Sequence, residues 1–355
     1  MIFLFTFSFY FVLIYFCSIV DLYYFKYRKL VLLVLCLLFC LFAGFRDPEF
    51  WPDTDRYLQA YESMTNIFNF NPSNEGVMEI YSEKGFHFIS SIIKTFSDSD
   101  VFYLLCLSIL SFYFLYKFLR GYCIYPLIGF CIYLSRFFLS RNMMQIRAAL
   151  AIIIVLCFTN LVRERKFRKY LLIVLLASSL HYSVLMFLPA YYVCKISMSR
   201  KQIVISILLT IMIAVFVANV FVSYFLNIPE INALMYVYVD ENNYGYSAGL
   251  TNPMIYYQIC LLLFYTYQEN DIKENDENYY IIRSMYLFGT ILLIVFNLFA
   301  VLAGRLSTIF SSYEMLMIPS LLCAVSTNRR FLSSIFFSLF FSAFFIMNVF
   351  KLNPE

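Results

Sequence analysis

Long apolar segments separated by short polar loops recur along the whole chain. A helix of roughly 20 apolar residues crosses a bilayer, and backbone amides in lipid must be bonded within their own segment. The pattern therefore predicts an all-α polytopic membrane protein with about 11–12 transmembrane helices in a single integral membrane domain, residues 1–355. The segments are 2–20, 30–44, 101–118, 122–140, 144–162, 170–194, 202–222, 252–268, 284–302, 306–325 and 331–350.

The segment 170–194 is too long for one crossing and short for two. A helical hairpin is the simplest solution, with its tip near Ser179 to Ser183. His181 then lies at the tip.

Composition agrees with a chain that is solvated by lipid, since 62% of its residues are apolar and only 14% are charged. The ten cysteines lie in or beside apolar segments without metal-ligand spacing, so we expect packing roles for them. No glycine-rich phosphate loop or hydrolase motif is present, and no basic, aromatic-interleaved region suggests nucleic acid. The first segment lacks a basic leader and a cleavage site, which favours a retained helix.

Basic residues in short loops indicate the cytoplasmic side of the membrane. They follow the first and fifth segments and precede the last, at 26–29, 163–169 and 329–330. This places the amino terminus and the loops 45–99 and 223–251 outside. The acidic loop 269–283 would then be inside, against the trend, although acidic residues weigh little in the rule.

Arginines collect on the predicted outer face, within or near apolar segments. An arginine in lipid is costly and usually faces a cavity, and its planar fork of donors matches phosphate oxygens. The pattern predicts an anion site, whereas the alternative for each arginine is that it reaches the lipid headgroups. The polar residues on this face are Arg46, Asp47, Asp53, Asp55, Arg56, Arg136, Arg141, Arg147, His181 and Arg305.

Several of these residues also have a structural interpretation. Asp53 and Asp55 could be solvated or could cap a helix that continues through Tyr57, and His181 could bond a backbone carbonyl at a helix break. His87 lies in a predicted amphipathic helix on the membrane surface, KGFHFISSIIKTF, where a structural role is favoured. The two acids of Asp53-Thr54-Asp55 alone are a weak metal signal, so we expect neither a metal ion nor another cofactor.

The order of several short motifs resembles the EpsG family, which is similar to the Wzy-type polymerases of O-antigen and capsular polysaccharide. The resemblance extends over roughly residues 42–320 and rests on order and spacing. This chain offers two acids, Asp53 and Asp55, where relatives tend to have Gly-x-Asp; Asp53 is preferred because of its spacing to Tyr57. The motifs are Phe45-Arg46, Asp53 to Tyr57, Glu83-Lys84-Gly85-Phe86, Arg141 to Ala151, Leu180-His181-Tyr182-Ser183 and Gly304-Arg305.

The resemblance implies a membrane fold of the glycosyltransferase-C type and a glycosyltransferase at the outer face of the bacterial cytoplasmic membrane. Its implied donor and acceptor are oligosaccharide repeat units on undecaprenyl diphosphate, with membrane lipid and a chain-length regulator protein as further partners. Fixed guanidinium groups stabilise the charge of a departing diphosphate, and a general base accepts the acceptor proton. The expected base is Asp53, Asp55 or His181, and the expected diphosphate ligands are Arg46, Arg136, Arg141, Gln145, Arg147 and Arg305.

Two other functions compete with polymerisation. A ligase or membrane acyltransferase would share carrier recognition, but a ligase is expected to have a larger late outer loop than 223–251. A flippase is expected to distribute ionisable residues across the membrane depth and to show an internal repeat. Here the charges cluster on one side.

Overall fold

A computed structural model describes residues 2–51, 53–71, 83–220 and 249–352, and every regular element within them is helical. The predicted all-α fold of a multi-pass membrane protein is confirmed. The α-helices are α1 Ile2–Tyr23, α2 Arg28–Gly44, α3 Thr54–Ser63, α4 Lys84–Lys94, α5 Asp100–Tyr122, α6 Pro126–Tyr133, α7 Ile146–Leu156, α8 Thr159–Arg163, α9 Phe167–Ser178, α10 Phe187–Val193, α11 Arg200–Val220, α12 Pro253–Tyr267, α13 Glu269–Lys273, α14 Tyr279–Val295, α15 Ala300–Ser311, α16 Glu314–Leu321 and α17 Thr327–Leu352.

Three described helices are long and apolar enough to cross a membrane unbroken: Thr6–Tyr23, Asp100–Tyr122 and Thr327–Val349. A fourth candidate consists of two helices, Val301–Ser311 and Glu314–Ala324, bent by 53° at their junction. The predicted segments 122–140, 144–162 and 170–194 are each divided into shorter helices. Hydropathy alone does not reveal such breaks, because a broken span is as apolar as a continuous one.

The break between the fourth and fifth predicted segments has an unusual form. After α6 the chain forms a π-helix, Leu134–Met144, in which the amide of Gln145 donates to the carbonyl of Ser140 at 3.0 Å. Gln145 then has φ −94° and ψ 58°, which ends the helix before α7 begins. π-Helical turns occur frequently at functional sites. Arg141 belongs to the last turn of this π-helix.

A second break lies at the predicted hairpin tip. α9 ends at Ser178, and a 3-10 helix, Tyr182–Met186, precedes α10. His181 lies between them, as the sequence predicts. The return of the chain across the membrane stays a prediction.

The chain divides into two compact units, which are described separately. Unit 1 contains residues 1–185 and 318–355, and unit 2 contains residues 186–317. In unit 1, α2 packs against α5, α1 against α6 and α17, and α7 against α5 and α9. In unit 2, α14 packs against α10, α11, α12 and α15.

Loops that the sequence assigns to the cytoplasmic side meet within unit 1. Arg28 donates to the carbonyl of Ile124 at 2.9 Å, next to the start of α6. The hydroxyl of Tyr122 lies 2.9 Å from both the carbonyl of Cys157 and Oδ1 of Asn160. These three loops therefore share one end of the unit, although the side of the membrane stays a prediction.

Unit 2 explains the acidic loop that departs from the charge rule. Glu269 accepts from Arg283 at 3.1 Å and from Arg200 at 3.4 Å. Arg283 also donates to the carbonyl of Met198 at 2.6 Å. Glu269 of this loop therefore neutralises the basic residues Arg200 and Arg283 at the same end of unit 2. The outer loop 223–251 lies outside the described residues except for the 3-10 turn Gly249–Thr251.

The predicted amphipathic helix corresponds to α4. Its His87 is buried, and the imidazole lies 4.9 Å from the ring of Phe70. Burial lowers the pKa of His87, which favours the neutral ring. These contacts agree with a structural role, while the position of α4 on the membrane surface stays a prediction.

Candidate functional site

Glu83 lies at a junction of three chain segments in unit 1. Its Oε1 is 2.9 Å from Nδ1 of His181, and its Oε2 forms an ion pair with Arg147. The Glu83 side chain is 5% exposed, compared with 20% for Arg147 and 29% for His181. A buried carboxylate thus joins two of the residues that the sequence assigns to the site.

The fold places each member of this cluster at the end of a helix. Glu83 immediately precedes α4, Arg147 is in the first turn of α7, and His181 follows α9. Helix ends leave the backbone free to turn, so three segments can converge at one point. We call Glu83, Arg147 and His181 the Glu83 cluster.

The electrostatics of the Glu83 cluster determine which nitrogen of His181 carries a proton. Burial acts to raise the pKa of Glu83, but the hydrogen bond with His181 and the charge of Arg147 outweigh it, so the pKa is lowered. Glu83 is therefore ionised at neutral pH and can only accept hydrogen bonds. Nδ1 of His181 must be the donor, and the neutral ring then has Nε2 as its proton-accepting nitrogen.

Tyr57 forms one wall beside the Glu83 cluster. The guanidinium of Arg147 lies 5.8 Å from the centroid of the Tyr57 ring, and the ring of Phe86 packs edge-on at 5.9 Å. Burial raises the pKa of Tyr57, and the nearby charge of Arg147 opposes this only in part. The phenol is therefore neutral at physiological pH. Tyr57 connects α3, α4 and α7.

Arg46 is buried in the same unit, and its recorded hydrogen bonds go to uncharged groups. Nε donates to Oγ1 of Thr54 at 3.1 Å, and Nη1 donates to the carbonyl of Ala43 at 2.7 Å. Nη2 is buried and has no hydrogen-bond partner among the described residues. Burial lowers the pKa of Arg46 to about 10, so the guanidinium stays charged at neutral pH. Such a buried charge favours an anionic ligand.

The hydroxyl of Thr54 links Arg46 to the end of the π-helix. Oγ1 of Thr54 donates to the carbonyl of Met143 at 3.3 Å. Arg141, two residues earlier, is buried with its guanidinium 4.3 Å from the ring of Phe137. Arg136 lies 4.4 Å from the ring of Phe344, and Gln145 is exposed. The structure therefore connects Arg46 with the segment that carries Arg141.

The two candidate acids of the first loop differ in their surroundings. Asp53 is partly buried at the start of α3, does not cap the helix with its side chain, and acts electrostatically on Tyr57. Asp55 is exposed and accepts a hydrogen bond from Gln59 at 2.8 Å. Asp53 therefore lies beside Tyr57, whereas Asp55 faces solvent. The role of either acid as the general base stays a prediction.

The remaining candidates have an exposed or peripheral setting. Asp47 accepts from the amide of Glu49 at 3.1 Å and so begins a short 3-10 turn, while Arg56 is exposed on α3. Arg305 is exposed on α15, in unit 2. Among the described residues, no group of three His, Cys, Asp or Glu side chains could hold a metal ion.

Comparison with known proteins agrees with the family resemblance of the sequence motifs. The profile of the EpsG family matches residues 29–354. The chain belongs to the EpsG family. The amylovoran biosynthesis protein AmsC of Erwinia amylovora is 23% identical to it over 293 residues, which cover 80% of this chain and 76% of AmsC. No solved structure matches the chain.

The EpsG-type motifs contain one residue whose importance the sequence interpretation missed. Glu83 begins the motif Glu83-Lys84-Gly85-Phe86, and the sequence alone assigns it no role. The available signal was an acid immediately before an amphipathic helix, in the same motif series as Arg147 and His181. Only the fold reveals that these three positions, up to 98 residues apart in sequence, are in contact.

Proposed function

We propose that this EpsG-family protein is a glycosyltransferase that polymerises oligosaccharide repeat units linked to undecaprenyl diphosphate. Family membership and the relative named for amylovoran biosynthesis support this reaction class. The observation that carries the mechanism is the Glu83 cluster, in which a buried carboxylate orients His181. Two buried arginines, Arg46 and Arg141, lie in the same unit.

In the proposed reaction, a hydroxyl of the acceptor unit attacks the anomeric carbon of the donor sugar. A new glycosidic C–O bond forms as the C–O bond to the carrier diphosphate breaks, and the diphosphate leaves with the bonding electrons. Nε2 of His181 accepts the hydroxyl proton, and Glu83 stabilises the resulting imidazolium. Asp53 and Asp55 are the alternative bases.

The arginines stabilise the negative charge that grows on the diphosphate. Arg46 is the best supported of them, because it is buried and its recorded hydrogen bonds go to uncharged groups. Arg147 forms an ion pair with Glu83 beside Tyr57, and we propose it as a further diphosphate ligand from the sequence. We propose the other diphosphate ligands from the sequence: Arg136, Arg141, Gln145 and Arg305.

We place the protein in the bacterial cytoplasmic membrane with the Glu83 cluster facing outward. The basic loops support this orientation. The contact among Glu83, Arg147 and His181 agrees with the predicted topology, which assigns all three residues to one side of the membrane. Donor and acceptor lipids enter from the bilayer, and a chain-length regulator protein is a candidate partner.

The test combines gene deletion with rescue by variants. His181→Ala and Glu83→Gln should abolish polymer while single repeat units still reach the cell surface. Arg120→Ala is the matched control, because Arg120 is an exposed arginine whose recorded contact is with Tyr116 on the same helix. Accumulation of lipid-linked units inside the cell would identify a flippase. Complete polymer that remains on its lipid carrier would identify a ligase.

A further inference from the structure

The amino terminus of α4 is capped by another segment of the chain. At a typical helix start, the side chain of the residue before the first turn accepts a hydrogen bond from the backbone amide of the second or third helical residue. Here the amides of Gly85 and Phe86 instead donate to the backbone carbonyl of Ser179, at 2.9 and 3.3 Å. Glu83 occupies the capping position, yet its side chain makes no capping bond.

The absence of a side chain at Gly85 permits this approach. A Cβ atom on Gly85 would lie 2.6 Å from Cβ of Ser179 and 2.8 Å from its carbonyl oxygen, and would also overlap Oγ of Ser179. Folded proteins essentially never show such distances. The hydroxyl can rotate away, but Cβ and the carbonyl belong to the chain itself. Any larger residue at position 85 must therefore displace α4 from the end of α9.

We infer that the Ser179 carbonyl and Gly85 form a backbone clamp that positions Glu83 on His181. The carbonyl satisfies the two amides that a capping carboxylate would otherwise bond, so both oxygens of Glu83 remain available for His181 and Arg147. The clamp also fixes the distance between Glu83 and His181, since Ser179 is two residues from His181 and Gly85 is two residues from Glu83. Gly85 and Ser179 are thus positioning residues, and this inference rests on the proposed function of the Glu83 cluster.

The orientation of the two helices favours the clamp. The carboxyl end of α9 carries partial negative charge, and the amino end of α4 carries partial positive charge. Ser179 extends the helical turn of α9, and its hydroxyl donates to the carbonyl of Leu176 at 2.7 Å. The two ends therefore meet with complementary charge.

The chain provides a direct readout, because it contains only two histidines. His87 is buried and 1% exposed, whereas His181 is bonded to Glu83. Protein labelled with 15N-histidine and studied by NMR in detergent micelles should show wild-type His181 with its proton on Nδ1. Gly85→Ala should lose this tautomer preference, as should Glu83→Gln. Unchanged His181 signals in Gly85→Ala would overturn the clamp.

Control variants separate positioning from general damage. Gly121→Ala meets nothing within 4 Å, and Gly289→Ala would overlap Cβ of Phe310 at 2.5 Å in unit 2. Both should retain wild-type His181 signals, while Gly289→Ala alone should lower the protein yield. The same loss of the His181 tautomer in Gly289→Ala would contradict the clamp.

Activity gives a second readout. Gly85→Ala should lower kcat about 100-fold, with little change in KM, because a small displacement suffices to misplace a catalytic pair. The added change Ser179→Gly removes Cβ and Oγ but keeps the carbonyl, so the double variant should recover part of the activity and of the His181 signal. If His181→Ala and Glu83→Gln were fully active, the catalytic role proposed for His181 and Glu83 would fail, while the NMR result would still decide the clamp.

Discussion

The ion pair between Glu83 and Arg147 yields a quantitative prediction. Glu83→Gln keeps the side-chain size but removes the charge, and it leaves the Arg147 guanidinium without its acid. Removal of one partner from a fully buried pair costs about 3–5 kcal/mol of unfolding free energy. Because Arg147 is 20% exposed, it can regain some hydration, and we expect about 2 kcal/mol for this variant.

The assay is a double-mutant cycle on purified protein in mixed detergent. Glu83→Gln, Arg147→Gln and the double variant are unfolded in parallel, and their unfolding free energies are compared. The two changes should cost less together than separately, with a coupling energy of about 2 kcal/mol. A coupling energy below about 0.5 kcal/mol would refute the ion pair as a determinant of the local structure.

The same variants distinguish two roles of Arg147. If Arg147 acts only by holding Glu83, then Arg147→Gln should have little further effect on the Kd of the lipid-linked donor in the Glu83→Gln background. If Arg147 also binds the donor diphosphate, as proposed, Arg147→Gln should raise the donor Kd further in that background. The comparison requires only matched amounts of folded protein.

Three further predictions concern charge and orientation. Arg46→Met removes an uncompensated buried charge, so it should leave the unfolding free energy unchanged or raise it by about 1 kcal/mol. The same variant should impair polymerisation. A loss of both stability and polymerisation would contradict the proposal that Arg46 binds the diphosphate. The pKa of Glu83 is lower in the folded protein than its unfolded-state value of about 4.3, so ionised Glu83 stabilises the fold above that pH. The difference in unfolding free energy between wild type and Glu83→Gln should therefore be constant above about pH 5. It should shrink toward zero as the pH falls below about 4. A difference that persists at lower pH would refute that linkage. Cysteines introduced at Arg56 and Lys201, both exposed, should react with an impermeant maleimide from opposite sides, with position 56 outside. Labelling of position 56 only from the cytoplasm would invert the orientation.

The helical class and one of the helix breaks follow from physical rules that operate on short stretches of sequence. Apolar length predicts helices in lipid, and the break at His181 follows from a segment too long for one crossing. The π-helix before Gln145 could not be predicted in this way, because its hydrogen-bond register depends on packing and not on hydropathy.

Only part of the Glu83 cluster could be predicted from the sequence. The sequence identified Arg147 and His181, since a charge or an imidazole in an apolar segment is conspicuous. Glu83 was missed because an acid in a polar loop is ordinary, and only the burial of its side chain and its two partners make it unusual. The clamp at Gly85 depends on a contact between residues 94 positions apart, which no local pattern reveals.

The central claim is that His181, oriented by Glu83, activates the acceptor in a polymerisation reaction. The most direct measurement uses purified protein in liposomes with undecaprenyl-diphosphate-linked repeat units and follows product length by gel. The wild-type protein should convert single units to polymer, and His181→Ala and Glu83→Gln at equal protein amounts should not. Polymer of wild-type length and rate from both variants would contradict the claim.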